Sequence, residues 1–261
     1  MKKEVEKLLQ YVQKPARYIG GELNAVVKDK DKIDIRYAFC FPDTYEIGMS
    51  HLGMKILYGL VNNREDSWCE RVFAPDNDME EQLRKNNVPL FALESGDYIK
   101  DFDMIGFTLQ YELSYTNVLN MLNLAQIPLK SSDRENLTPL ICVGGPCACN
   151  PEPITDFVDI VFLGDGEETT NQVIDLLIDC KKKGISKKEF LLKAKDITGI
   201  YVPSFYEDSY NEDGTLKELK PLYGAPEKVK KAVVSDMNKV FYPKEFVVPY
   251  INIVHDRAVE E

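Results

Sequence analysis

Residues 141–170 read ICVGGPCACNPEPITDFVDIVFLGDGEETT. Two short apolar runs, Leu140–Val143 and Asp159–Leu163, stop at glycine-bearing loops, Gly144-Gly145-Pro146 and Gly164-Asp165-Gly166-Glu167. After the second loop, Val173, Ile174, Leu177 and Cys180 recur at helical spacing. A short run that is apolar throughout, followed by a glycine turn and an amphipathic helix, describes a strand buried on both faces and the crossover that follows it.

The same unit repeats toward the N-terminus. Asp103–Leu109 (DMIGFTL) is a strand, and Tyr115, Val118, Leu119 and Leu122 then mark a helix. Ile33–Phe41 (IDIRYAFCF) is rich in β-branched and aromatic residues and stops at Pro42, with Met49, Leu52, Ile56, Leu57 and Leu60 on one helical face beyond it. Glu70–Ala74 reads as a further strand, Asp76 or Asn77 as the cap of a helix carrying Met79 and Leu83, and Pro89–Leu93 as a minor strand. Alternating strands and helices predict an α/β domain over 31–183, a doubly wound and mainly parallel sheet. Ahead of it, residues 1–30 hold an amphipathic helix at 2–14, ended by Pro15, and a Gly20-Gly21 turn. After it, 184–261 form a small mixed extension. A helix at 187–195 leads to a hairpin in which Gly199–Tyr206 and Leu216–Leu222 flank the turn Asn211–Gly214. A connector holding Pro226, Pro243 and Pro249 and a last strand, Ile253–Val259, complete it. With no natural cap after that strand, the chain reads as a piece of something longer.

Composition bounds the function. The 261 residues include 32 Lys+Arg and 43 Asp+Glu, a net charge of −11, which disfavours nucleic acid as a partner. No apolar run approaches the ~20 residues of a membrane span, and the start, MKKEVEKLLQYVQK, is charged where a signal peptide is apolar. The expectation is a cytoplasmic protein with no membrane partner. Six scattered cysteines read as reduced thiols, and Cys147-x-Cys149 alone makes a poor zinc site. The two histidines, His51 and His255, neighbour no activated serine.

In an open parallel sheet, ligands bind beyond the carboxyl ends of the strands. Four loops fall at that edge: Pro42–Gly48, Thr108–Tyr111, Gly144–Pro146 and Gly164–Glu167. Glycines there admit a ligand to the backbone, and helix N-termini offer amides. Taken singly, each loop is only a tight turn. Taken together on one rim, they predict the floor of a cofactor cavity.

Asp43-x-Tyr45-x-x-Gly48 resembles the Asp-x-His-x-x-Gly signature of cobalamin-binding domains, with tyrosine in place of histidine. Thr108-x-Gln110 stands where that family has Ser-x-Leu, and Gly144-Gly145 matches its Gly-Gly. The segments GGPCACNPEP and GDGE, together with PDTYEIGMSHLG, FALES, YELSYTN and VHDRAVEE, look like one branch of the cobalamin-binding-type radical S-adenosylmethionine (radical SAM) proteins. The resemblance implies a Rossmann-like fold and a cofactor-binding accessory domain partnered by a radical SAM domain of the same parent chain. It places Asp43, Tyr45, Gly48, Thr108, Gln110, Gly144, Gly145, Pro146, Gly164, Gly166 and Glu167 at the cofactor.

The cofactor so implied is cobalamin, without histidine coordination by the protein. A phenol with pKa near 10 is a poor cobalt ligand at neutral pH. His51, six residues past Tyr45, reads as a polar helix-face residue, and His255 with Asp256-Arg257 as interface. The four-iron cluster and S-adenosylmethionine belong to the downstream domain, because no Cys-x-x-x-Cys-x-x-Cys triplet occurs here and Cys142, Cys147 and Cys149 have other spacings. The alternative is a cofactor-free scaffold that binds substrate or docks the radical domain. A receiver-like domain lacks its acidic and lysine partners, and a flavin binder lacks a phosphate loop after the first strand. Glu167 and Glu168 also suit a helix start, Lys181–Lys183 a helix end, and Tyr111 and Tyr115 a crevice wall.

Overall fold

The computed structural model describes residues 2–248. The strand expected at 253–259, with His255, Asp256 and Arg257, lies outside the described residues, as does Pro249. The elements that matter are α1 (Lys3–Leu8), β1 (Ile35–Phe41), α2 (Tyr45–Ser50), α3 (Leu52–Asn62), β2 (Ser67–Phe73), α4 (Asn77–Asn86), β3 (Met104–Thr108) and α5 (Tyr115–Leu124). They continue with β4 (Leu140–Gly144), β5 (Ile160–Phe162), α6 (Gly166–Lys183), α7 (Lys187–Ala194), β6 (Ile200–Tyr201), β7 (Tyr206–Tyr210) and β8 (Leu216–Pro221).

Six strands form one sheet in the order β2-β1-β3-β4-β5-β6. The first five are parallel, and β6 is antiparallel to β5. The order 2-1-3-4-5 is one of the two common doubly wound arrangements, so the Rossmann-like α/β expectation is met. Side chains alternate across the sheet as the period of two requires. On β1, Ile35, Tyr37, Phe39 and Phe41 join one core with α2, α3, α6 and α7, while Ala38 and Cys40 join the other with α1, α4 and α5. Val118, Met121 and Leu122 of α5 are wholly buried, and burying each such side chain contributes about 1.5–3 kcal/mol.

Several elements differ from the sequence expectation. Pro89–Leu93 is not a strand: Leu90 N donates to Leu124 O at the end of α5 and Ala92 N to Asp97 O, leaving one bridge between Phe91 and Tyr98. The hairpin is built from β7 and β8, and Ile200–Tyr201 joins the main sheet as β6 instead. The sheet therefore draws its last strand from beyond residue 183. The first helix stops at Leu8 and tightens into a 3₁₀ turn at Leu9–Tyr11. The helix expected after Pro42 breaks at His51 into α2 and α3. His51 is extended there, and its Nδ1 accepts the Met54 amide at 3.1 Å, capping α3.

The outer margin of β2 is fully buried. Ser67 O accepts Lys28 Nζ at 2.7 Å, and the Asn62 amide group bonds both N and O of Cys69 at 3.0 Å. Arg71 N donates to Glu94 Oε2 at 2.7 Å, and Leu93 N donates to Arg71 O at 2.9 Å. The Arg71 guanidinium, 1% exposed, bonds Glu22 (Nη2–Oε2 2.6 Å) and Glu94 (Nε–Oε1 2.6 Å). At the other side, a strap from the C-terminal extension crosses the end of β5. Ala232 N donates to Leu163 O at 2.8 Å, and Asp165 N donates to Ala232 O at 3.0 Å.

Candidate functional site

A crevice of about 280 Å³ lies between one face of the sheet and helices α3 and α6, opening at the carboxyl ends of the strands. The alternation of side chains explains why it is there. On this face β3 presents Gly106 and Thr108, and β4 presents Cys142 and Gly144, all small and central in the sheet. The helices opposite add Gly53 and Gly166. Larger side chains at these positions would close the space. Tyr37 and Phe39 of β1 and Phe162 of β5 make its sides, and His51, Asp165 and Glu167 stand among its polar lining.

Of the residues expected at the cofactor, Thr108, Gln110, Gly144, Gly145, Pro146, Gly164, Gly166 and Glu167 all line this one crevice. Gln110 Nε2 donates to Thr108 Oγ1 at 2.6 Å, fixing both at the mouth. Asp43, Tyr45 and Gly48 are not part of the lining. Asp43 Oδ2 accepts the Tyr111 hydroxyl at 3.0 Å, and its Oδ1 accepts the Thr44 amide at 2.7 Å. That hydrogen bond raises the Tyr111 phenol above its ordinary value. Tyr45 turns away, donating to Glu22 Oε1 at 2.8 Å with its ring edge-on to Phe73. Burial, then the Glu22 charge, pushes the Tyr45 phenol well up, so it stays protonated. Gly48 is a packing glycine, since a Cβ there would overlap the Phe73 ring.

The glycines of the lining divide in the same way. Gly164 (φ +94°) lies against the strap, where a Cβ would overlap Ala232 O and come to 2.8 Å from Ala232 N. Gly166 opens α6, and a Cβ there meets only Leu57 and Thr170 at ordinary distances of 3.4 Å or more. Asp165 precedes α6 but does not cap it, its Oδ2 accepting the Val234 amide at 2.7 Å instead. The first amides of this 18-residue helix therefore border the crevice without a side-chain cap.

Sequence reasoning missed Tyr37, Phe39, Gly106, Cys142 and Phe162 as lining. A glycine in mid-strand at 106 is the signal that could have found the space, because it marks a missing side chain on a sheet face. His51 was read as a helix-face residue, and the structure corrects it to a helix cap at the crevice mouth. All six cysteines are free thiols, with only Cys149 exposed. Among the described residues no helix is long and apolar enough to cross a membrane.

Comparison with known proteins fits this geometry. The family described as radical SAM proteins, N-terminal, matches residues 53–203, more than half the chain and every strand from β2 to β6. The chain belongs to this family of radical SAM N-terminal domains. A relative, an uncharacterized protein of Methanocaldococcus jannaschii, is 25% identical over 223 residues. The match covers 80% of this chain and 42% of that protein, so the chain spans about two fifths of its relative's length. No solved structure matches the chain.

Proposed function

We propose that this chain is the N-terminal accessory domain of a radical SAM iron–sulfur protein and that its crevice binds part of a cobalamin-type cofactor. The observation that carries the reading is the convergence of Thr108, Gly144–Pro146 and Gly164–Glu167 on one cavity at the sheet's carboxyl edge. The crevice is small. Ligand pockets typically measure about 300–1,000 Å³, so this one encloses a single arm of so large a molecule, and the bulk of a corrin would lie outside it. Within those limits the residues fit: Gly144 and Gly166 admit the arm, Thr108 and Gln110 give polar contacts, and the α6 amides face it. Tyr45 would not hold the metal of such a cofactor, because its hydroxyl is engaged by Glu22. When bound, cobalamin would supply the organocobalt chemistry of the parent protein. The cluster and S-adenosylmethionine are assigned to a radical SAM domain of the same parent chain.

A second reading, a cofactor-free scaffold for substrate or for the radical domain, is favoured by the engagement of Asp43 and Tyr45 with Tyr111 and Glu22. Hydroxocobalamin separates the two. After incubation and desalting, the cofactor reading expects a retained, shifted visible spectrum that Gly166→Leu abolishes without unfolding the protein. A colourless wild-type protein supports the scaffold.

A further inference from the structure

Beyond Tyr206, the β7–β8 hairpin belongs to neither core. Its register sets Asp208 opposite Leu219 and Tyr210 opposite Leu216, with Glu207 opposite Lys220 and Ser209 opposite Glu218. Residues directly opposite share a face. One face is therefore polar, and the other carries Tyr206, Tyr210, Leu216 and Leu219 around Asp208. An antiparallel ribbon with this alternation lays its apolar face on a core, and two strands alone are marginally stable in water. Here that face is open: Tyr210 is 60% exposed, Leu216 58% and Leu219 38%.

The face overhangs a groove of about 960 Å³, walled on its other sides by α7 and the loops at 130–135 and 152–158. This groove shares no lining residue with the crevice. Beneath it, Asp159 Oδ1 meets both Lys187 Nζ at 2.7 Å and Arg134 Nη2 at 3.1 Å, so two buried cations rest on one carboxylate. Arg134 Nε is buried with no partner. At the rim, Lys130 and Lys188 pair with no carboxylate among the described residues, and Lys188 Nζ lies over the Tyr223 ring at 4.8 Å. The hairpin is the acidic counterpart, with Glu207, Asp208, Glu212, Asp213 and Glu218 against Lys217 and Lys220.

Charge also narrows what covers the face. A chain of net charge −11 repels its own copy over most of its surface. The groove lining is different, because its lysines and arginine are balanced by Glu135, Glu152, Asp156 and Asp208. A projecting acidic arm beside a groove with a cationic floor and rim is self-complementary, as a twofold contact requires.

We propose that this groove is the interface between two copies of the chain, the β7–β8 arm of each lying in the groove of the other about a twofold axis. The rim lysines of one copy then meet Asp208 and Glu212 of the second, and the leucines of both arms leave water.

The test is self-association of the full 261-residue chain, followed by sedimentation equilibrium and light scattering. A dimer is expected, and Leu216→Ser/Leu219→Ser is expected to raise its dissociation constant at least about tenfold, since the substitution falls twice in one interface. Lys130→Glu/Lys188→Glu makes the rim acidic, and Asp208→Lys/Glu212→Lys makes the arm basic. Each charge variant alone is expected to be a monomer that melts with wild type, because all four side chains are exposed. Mixing the two is expected to restore the dimer, each copy offering the other a matched arm or groove. A wild-type chain that stays monomeric up to high-micromolar concentration overturns the proposal and gives the apolar face to its own groove or to a different partner. A dimer indifferent to both charge reversals, or reversed variants that fail to associate on mixing, overturns it as well.

Discussion

Replacing Gly164 and Gly166 separately by alanine distinguishes a glycine required by the fold from one that leaves room for a guest. At Gly164 the backbone has φ +94°, which costs an L-residue about 1–3 kcal/mol. The new methyl would also overlap Ala232 O and press on Ala232 N, so the strap must lift. Two backbone hydrogen bonds go with it, Ala232 N to Leu163 O and Asp165 N to Ala232 O, at about 1 kcal/mol each. The expected loss is about 3–5 kcal/mol. At about 2–4 °C per kcal/mol for domains of 150–250 residues, the melting temperature falls by about 6–20 °C. Gly166→Ala meets only ordinary contacts and gains helix propensity, so its stability should stay within about 1 kcal/mol of wild type. Urea titration read by the fluorescence of Trp68, 1% exposed, measures both. Limited proteolysis across residues 229–234 reports whether the strap has come away. A Gly164→Ala protein as stable and as protease-resistant as Gly166→Ala would refute the assignment of this glycine to the strap.

Three further outcomes follow from the same geometry. Arg71→Met should cost about 3–5 kcal/mol in a urea titration, because it strands Glu94 and Glu22 in the interior; a loss under 1 kcal/mol would contradict the network. Burial alone would raise the carboxyls of Glu22 and Asp97, but the hydrogen bonds and charge of Arg71, and of Lys30 and Arg36, outweigh it and hold both below their ordinary values. Their stabilisation is therefore present above the unfolded-state carboxylate range near pH 4 and is lost as pH falls through the lower folded values, so the urea midpoint should drop below about pH 4; a flat or rising midpoint there counts against it. His51→Ala removes the side-chain acceptor for the Met54 amide and should cost about 0.5–2 kcal/mol, read as a fall in melting temperature; no change would show that the break between α2 and α3 needs no cap.

The sheet was legible because its central strands carry local signatures. Met104–Phe107 and Leu140–Val143 are apolar throughout, and Tyr115, Val118, Leu119 and Leu122 repeat at i, i+3, i+4 and i+7 after the first of them, so strand and helix needed nothing from afar. The rim glycines were legible as well, through turn chemistry. Other features depend on partners distant in sequence. Tyr45 occupies the position of a ligand motif, but Glu22 decides where it points. Ile200–Tyr201 has the composition of a hairpin arm, yet the open margin of β5 claims it. The crevice itself has no local signature, since its space comes from small residues on two neighbouring strands and two helices that meet only in the fold. Gly106 alone hinted at it.

The buried margin of β2 governs how this protein can meet others. Its carbonyl at 67 and its outward amides and carbonyls at 69 and 71 are already taken up by Lys28, Asn62, Glu94 and the chain at 93. A visiting peptide finds no open rung there, and the opposite end of the sheet offers a strand of only two residues. Growth of the sheet from one molecule into the next, the usual hazard of an exposed edge, is thereby blocked at its longer side. Among the described residues, larger assemblies are left to loops, helix faces and the exposed β7–β8 hairpin, and the long margin of the main ladder stays closed.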